Sequence, residues 1–183
     1  MIKKWEKNSS KYLLENKIFK MREDLVKSPK LGTEHSVWVM EVPTWVNIIP
    51  ITSSGEVILV NQYRFGLEKT SLEIPGGMAD YGEDPKHAAI RELKEETGFE
   101  GSEVIEIGRV ESNPAILANH TYTYLALNCE KSADQNLDGT EDIEIISKNI
   151  DEIPSLIKNR DIEHALVISA FYFYNLYRLS ENM

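Results

Sequence analysis

Residues 77–99 read GMADYGEDPKHAAIRELKEETGF, a glycine-led loop that runs into a charged segment closed by a second glycine. Asp84-Pro85 offers an acceptor side chain at a helix cap and a proline at the first helical position, and Gly98 stands where a helix ends in the left-handed conformation. These signals predict a helix over 85–97. Glu92, Glu95 and Glu96 then fall at i, i+3 and i+4 on one face beside Arg91, where like charges oppose one another by roughly 0.2–0.5 kcal/mol per pair. A hard divalent cation offsets that opposition, because Mg²⁺ takes oxygen ligands and is held by a few carboxylates together with substrate phosphate. An acidic triplet alone is more often simply a solvated helix face, so the flanking sequence must separate the two readings.

Upstream, 71–74 reads as a short strand stopped by Pro75-Gly76-Gly77, and the Val/Ile-rich runs 45–52 and 56–63, separated by Ser53-Ser54-Gly55, read as a hairpin. Residues 1–40 form a polar extension with strand-like pieces at 17–21 and 36–41. Downstream come strand signals at 104–110, 121–128 and 143–146, a polar loop at 131–140, and a short helix at 154–158. A terminal helix is expected at 162–179, where Ala165, Leu166, Ile168, Ala170, Phe171 and Leu176 keep helical spacing. Strands on both sides of one central helix predict a mixed sheet between helices.

The 183 residues are 42% hydrophobic and 27% charged, as in an ordinary globular domain and unlike a disordered chain. No run approaches the roughly 20 apolar residues of a membrane-spanning helix, and the basic start lacks an apolar signal segment. A cytoplasmic protein with no membrane partner is expected. Cys129 is the only cysteine, which excludes an intrachain disulfide and a cysteine zinc cluster, and His87, His120 and His164 lack zinc-site spacing. Residues 1–31 carry 9 Lys/Arg against 4 Asp/Glu, whereas the remainder carries 11 against 26. Such an acidic body repels phosphate backbones, so nucleic acid is not an expected partner. A small phosphorylated ligand would need a cation between itself and the protein.

From Gly77 the chain follows G, five residues, E, seven residues, R-E-apolar-x-E-E-x-G-apolar at every defined position, a match whose chance occurrence is on the order of 10⁻⁶ at such residue frequencies. It thereby resembles the Nudix hydrolase family. The resemblance implies an α/β fold, the Nudix α/β/α sandwich with a mixed sheet, here with an N-terminal β-rich extension. It also implies hydrolysis of a nucleoside diphosphate linked to another moiety, with Mg²⁺ or alternatively Mn²⁺ as cofactor. By the same resemblance Glu92, Glu95 and Glu96 bind metal, Arg91 and Glu83 brace the loop on the helix, and Arg91 and Glu95 count among the catalytic groups.

Val60-Asn61-Gln62-Tyr63-Arg64 and Ser71-Leu72-Glu73-Ile74-Pro75-Gly76-Gly77 resemble the V-x-Q-Y-R strand and L-E-x-P-A-G turn of the ADP-ribose and nucleoside-diphosphate-sugar pyrophosphatase branch. Gly76 stands where that branch usually has alanine, and the backbone carbonyl that ligates metal there is retained. Arg64 is a candidate phosphate ligand, because its fork suits two phosphate oxygens, or else a surface arginine paired with Glu73; Glu73 divides likewise between substrate contact and that local pair. The acidic loop 138–144 resembles the branch's catalytic loop, with Glu141 aligning best and Asp142 and Glu144 as substitutes. Trp45 is a candidate base-stacking residue or a structural tryptophan, with Trp5 and Trp38 less favoured, and Asn113 and Asn119 are placed to line a sugar pocket. The aromatic stripe Phe171, Tyr172, Phe173, Tyr174 and Tyr177 reads as core and interface.

The sequence thus predicts a homodimeric pyrophosphatase of ADP-ribose or a related nucleotide sugar, with 1–40 an extension swapped between subunits and 41–183 the hydrolase domain. The alternatives are a Nudix hydrolase of modified nucleoside triphosphates and a sensor that binds nucleotide sugar without cleaving it.

Overall fold

The computed structural model describes residues 1–181. Two compact units are resolved: Met1–Pro43 with Glu111–His120, and Thr44–Val110 with the described chain from Thr121 onward. In the first, β1 (Glu6–Glu15), β2 (Lys20–Lys27) and β3 (Glu34–Glu41) form an antiparallel sheet in that order. The strands expected at 17–21 and 36–41 are longer or shifted. β1 was not expected at all, because EKNSSKYLLE has no apolar alternation and all ten residues are exposed.

The second unit contains β4 (Trp45–Pro50), β5 (Glu56–Arg64), β6 (Lys69–Glu73), β7 (Gly76–Met78) and α1 (Pro85–Thr97). After these come β8 (Phe99–Glu100), β9 (Glu103–Val110), β10 (Thr121–Leu127), β11 (Glu130–Lys131), β12 (Ile143–Asn149), α2 (Ile153–Lys158) and α3 (Ala165–Glu181). A mixed sheet runs β7-β4-β10-β9 with β4 and β10 parallel, an antiparallel sheet runs β12-β5-β6, and β8 and β11 make a small ladder. β4 shows how the layers assemble. Its Val46 and Ile48 pack with Ala88, Ala89 and Leu93 of α1, while Ile49 packs with Val57 and Leu59 of β5 and Val167, Ala170 and Phe171 of α3. Successive side chains of a strand point to opposite faces, so the mixed sheet lies between α1 on one face and α3 with the second sheet on the other, the expected sandwich.

The hairpin expected over 45–63 is corrected. Its turn forms, with Thr52 N–H donating to the Glu56 carbonyl at 2.9 Å and Gly55 at φ 81°, but only Ile51 and Val57 bridge across it. β4 is flanked by β10 and β7 on its two edges, so β5 leaves for the second sheet. The terminal helix begins at Ala165, later than the pattern suggests, because the Asp161 and Ile162 N–H groups close the end of α2 on the Leu156 carbonyl. Its aromatic stripe divides: Phe171 is buried, Tyr174 and Tyr177 pack on the core, and Tyr172 is exposed. Among the described residues no helix is long and apolar enough to cross a membrane.

Candidate active site

Helix α1 is built by its caps. Asp84 accepts from the Lys86 and His87 N–H groups at 2.9 and 3.3 Å, Pro85 opens the helix, and Gly98, at φ 72°, closes it with its N–H on the Lys94 carbonyl. Buried Ala88, Ala89 and Leu93 seat one face on the sheet, which sets Glu92 and Glu96 against the β7 turn. The turn makes room for them: a Cβ on Gly77 would stand 2.4 Å from Glu92 Oε1, and one on Gly76 2.3 Å from the Val46 carbonyl oxygen.

Arg91 is the brace. Its Nε and Nη2 donate to both oxygens of Glu83 at 3.0 Å each, its Nη1 to Glu92 and Glu95 at 2.9 Å each, and its Nη2 also to the Met78 carbonyl at 3.2 Å. Hydrogen bonds to Glu83, then Glu95 and the Glu92 charge, outweigh desolvation and hold the guanidinium far above its ordinary pKa. Loop, helix and acidic face are joined through this one planar group, which presents five donors in a fixed geometry.

Glu96 lies deepest, 3% exposed, with Oε2 accepting the Gly76 N–H at 3.1 Å. Burial and then the Glu92 charge push its carboxyl up to about 8, with Glu141 adding to the push. Burial also raises Glu92, against the opposing pull of Arg91. Facing them, Arg64 donates from Nε to Glu73 Oε1 at 2.9 Å and from Nη2 to Glu73 Oε2 at 2.7 Å, a two-pronged clamp. The clamp raises Arg64 above its ordinary value against burial, and the Glu96 and Glu141 charges contribute as well. Burial pushes Glu73 up, but the Arg64 hydrogen bonds and charge, with His164 close by contributing in the same direction, overcome it and hold the carboxyl at about 2.

The acidic loop comes within electrostatic reach of the same groups. Glu141 is exposed; its Oε2 accepts the Asp138 N–H at 2.9 Å, and its charge is felt by Glu92, Glu96 and Arg64. The β12–β5 register pairs Ile143 with Gln62 and Glu144 with Asn61, and Asn61 donates to Glu144 at 3.3 Å. Strand alternation therefore gives Glu144 the face opposite to that of Gln62 and Arg64. Asp142 is exposed in the loop.

Trp45 opens β4 half-buried and donates to Asn47 at 3.2 Å. Asn113 belongs to the first compact unit, where its carbonyl accepts the Ile116 and Leu117 N–H groups. Two further residues emerge only in three dimensions. Gln135 donates to the carbonyls of Glu96 and Ile143 at 2.7 and 3.1 Å, tying the end of α1 to the strand after the acidic loop, and His164 reaches Glu73. Neither sits in a local pattern that marks it.

Glu96 is buried and Glu92 half-buried beside it, the Glu92 charge opposing ionisation of Glu96, and such all-oxygen donors fit a hard cation. Among the described residues no three acidic side chains already converge as a finished cage, and Arg91 is paired with both Glu92 and Glu95. Cation binding there would draw those two carboxylates from Arg91, with Glu83 retaining the guanidinium.

Residues 43–171 match the family described as NUDIX domain. The chain is 30% identical over 165 residues to the methanol dehydrogenase activator of Bacillus methanolicus, covering 90% of this chain and 89% of that one. It is 28% identical over 139 residues to the ADP-ribose pyrophosphatase of Bacillus subtilis (strain 168), 75% of each chain. Over 60 residues, 31% of this chain and 28% of the other, it is 47% identical to the ADP-sugar pyrophosphatase of Mus musculus. A crystal structure of an ADP compounds hydrolase superposes with a TM-score of 0.87 at 21% identity, covering 99% of this chain and 97% of that one, which shows the shared fold. The glutamate helix, its arginine brace and a family match running from 43 to 171 lead to one assignment: the chain belongs to the Nudix hydrolase family.

Proposed function

We propose that this protein hydrolyses the pyrophosphate of ADP-ribose or a related nucleoside diphosphate sugar, giving a nucleoside monophosphate and a sugar phosphate, with Mg²⁺ as its working ion. Nudix hydrolases generally work with a divalent metal ion. The observation that carries the reading is Glu96, a buried carboxyl driven up to about 8 beside Glu92 and Glu141 and across from the clamped Arg64. Near neutral pH such a group is drawn into its ionised form when a cation joins it. The relatives named for ADP-ribose and ADP-sugar support the substrate class.

Glu92, Glu95, Glu96 and the Gly76 carbonyl would hold the ion, which when bound neutralises pyrophosphate charge and acidifies a water. Arg91 keeps loop and helix in register. Arg64, whose clamp engages Nε and Nη2, keeps Nη1 for a phosphate oxygen. Glu141, exposed on the acidic loop, orients or deprotonates the attacking water. Trp45 offers its face to the base.

The active form we infer is a homodimer in which residues 1–40 dock on the neighbouring subunit. Trp5, Tyr12, Leu14, Val37 and Trp38 of the basic extension are exposed, and charge complementarity with an acidic body favours the contact. A reducing cytoplasm suits a chain whose only cysteine is buried.

Incubating the protein with a panel of nucleotide sugars and nucleoside triphosphates in Mg²⁺, and reading phosphate after phosphatase coupling, tests the substrate. Nucleotide sugars should be cleaved. Phosphate or pyrophosphate release from triphosphates alone would overturn the reading.

A further inference from the structure

Glu73 keeps its charge almost wholly out of water, with its side chain 4% exposed. A buried carboxylate is stable only when donors or cations reach its oxygens. Arg64 supplies two hydrogen bonds from one side. His164 also closes on it: its Nδ1 lies 3.2 Å from Glu73 Oε2, is shielded from solvent and makes no straight hydrogen bond to any described group. Glu73 is the acceptor it faces.

This placement is fixed by the fold. Residues 163–166 are tied to the sheets at three points: Lys69 at one end of β6 holds Glu163 at 2.5 Å, Glu73 at the other end meets His164, and Asn47 of β4 donates to the Leu166 carbonyl at 3.2 Å. Arg64, by contrast, is the last residue of β5, beside exposed Phe65 and Leu67. Its clamp is only as rigid as Glu73, and the terminal torsion of a glutamate is intrinsically soft. The Arg64 Nη2 hydrogen bond and the close approach of His164 Nδ1, both on Oε2, limit that rotation.

We propose that His164 is a positioning residue that acts through Glu73 to hold Arg64 with Nη1 presented to a substrate phosphate. The substrate end of this inference rests on the pyrophosphatase reading; the clamp itself does not.

The test uses the full-length chain. His164→Phe keeps a ring and removes the donor, and His164→Asn restores an N–H near the Nδ1 position. With ADP-ribose, His164→Phe should raise KM about 10-fold with kcat within about 3-fold, and His164→Asn should return KM to within about 2-fold of the parent. In an Arg64→Ala background His164→Phe should add almost nothing, because the residue it positions is gone. Glu100→Gln, which removes an exposed ion pair with Lys94 remote from this clamp, should leave KM unchanged. A substrate-free readout is the Arg64 Nε–H resonance in ¹⁵N-resolved NMR, which should broaden and exchange faster in His164→Phe and recover in His164→Asn. Equal KM penalties with and without Arg64, or an Arg64 signal indifferent to position 164, would overturn the proposal. If ADP-ribose is left intact while the Arg64 signal responds, the substrate reading fails and the clamp stands, and the KM series is run on the panel compound that is cleaved.

Discussion

The backbone N–H of Gly76 donates to Oε2 of Glu96 at 3.1 Å, joining the β7 turn to the deepest carboxyl of α1 across twenty residues of chain. This single bond lowers the cost of ionising Glu96, while burial and the Glu92 charge raise it and prevail. The metal-free site is therefore strained toward its protonated form.

Replacing Glu96 by Gln should reduce turnover by at least about 100-fold, because an anionic ligand is lost. Its effect on stability has the opposite sign. The folded carboxyl at about 8 lies above the ordinary glutamate value of 4.5, so between those pH values the unfolded chain releases the proton first and metal-free stability falls as pH rises. In EDTA, melting of the parent should decline from pH 5 to pH 8, and Glu96→Gln should flatten that decline. Parallel melting curves, or near-parental activity in saturating Mg²⁺, would refute the assignment.

Adjacent glycines should behave differently. A Cβ on Gly77 meets the mobile end of Glu92, whereas one on Gly76 meets backbone at Val46. Gly77→Ala should therefore keep most of its stability while displacing Glu92, with activity down about 10-fold or more and a higher Mg²⁺ requirement. Gly76→Ala should instead melt several degrees lower, since a backbone collision cannot be relieved by a rotamer change. Differential scanning fluorimetry beside a Mg²⁺ titration of rate separates the two.

Acid should release the Glu73 clamp. Its folded value of about 2 lies below the ordinary glutamate value of 4.5, so the stabilisation is complete above about pH 4.5 and is lost as pH falls toward 2. The size is up to about 3 kcal/mol for such a shift. Denaturant melts of Glu73→Gln and parent should differ most at neutral pH and converge near pH 2; a gap independent of pH would contradict this.

Glu141→Gln should lower the single-turnover rate by roughly 10² to 10⁴ with substrate affinity nearly intact, as expected for a group that acts in the transition state. Glu144→Gln, altering the face of β12 that bears Asn61, should stay within a few fold. A large defect confined to Glu144→Gln would move the catalytic acid, and rescue of Glu141→Gln by extra Mg²⁺ would make Glu141 a metal ligand.

Light scattering at micromolar concentration should give about twice the 20.9 kDa chain mass, and deletion of residues 1–40 should abolish the dimer. A monomeric full-length protein would sink the proposed exchange of extensions.

Helix α1 and its chemistry were legible in the chain because everything that makes them is local. Asp84, Pro85 and Gly98 act on their neighbours' backbone, and helical periodicity alone puts Glu92, Glu95 and Glu96 on one face. The Glu83–Arg91 brace spans eight residues and was readable through the family pattern. β1 was not legible, since its strand has no buried face to impose a period of two. Nor was the division of the expected hairpin between two sheets, which arises when β10, arriving more than seventy residues after β4, becomes its parallel neighbour. The same holds for Gln135 beneath Glu96 and for His164 on Glu73, ninety-one residues apart. Local stereochemistry and spacing are written in neighbouring residues, so the sequence alone set the helix, its caps and its acidic face. Which distant donor meets a buried carboxylate depends on how whole layers pack, and that information exists only once the chain has closed on itself.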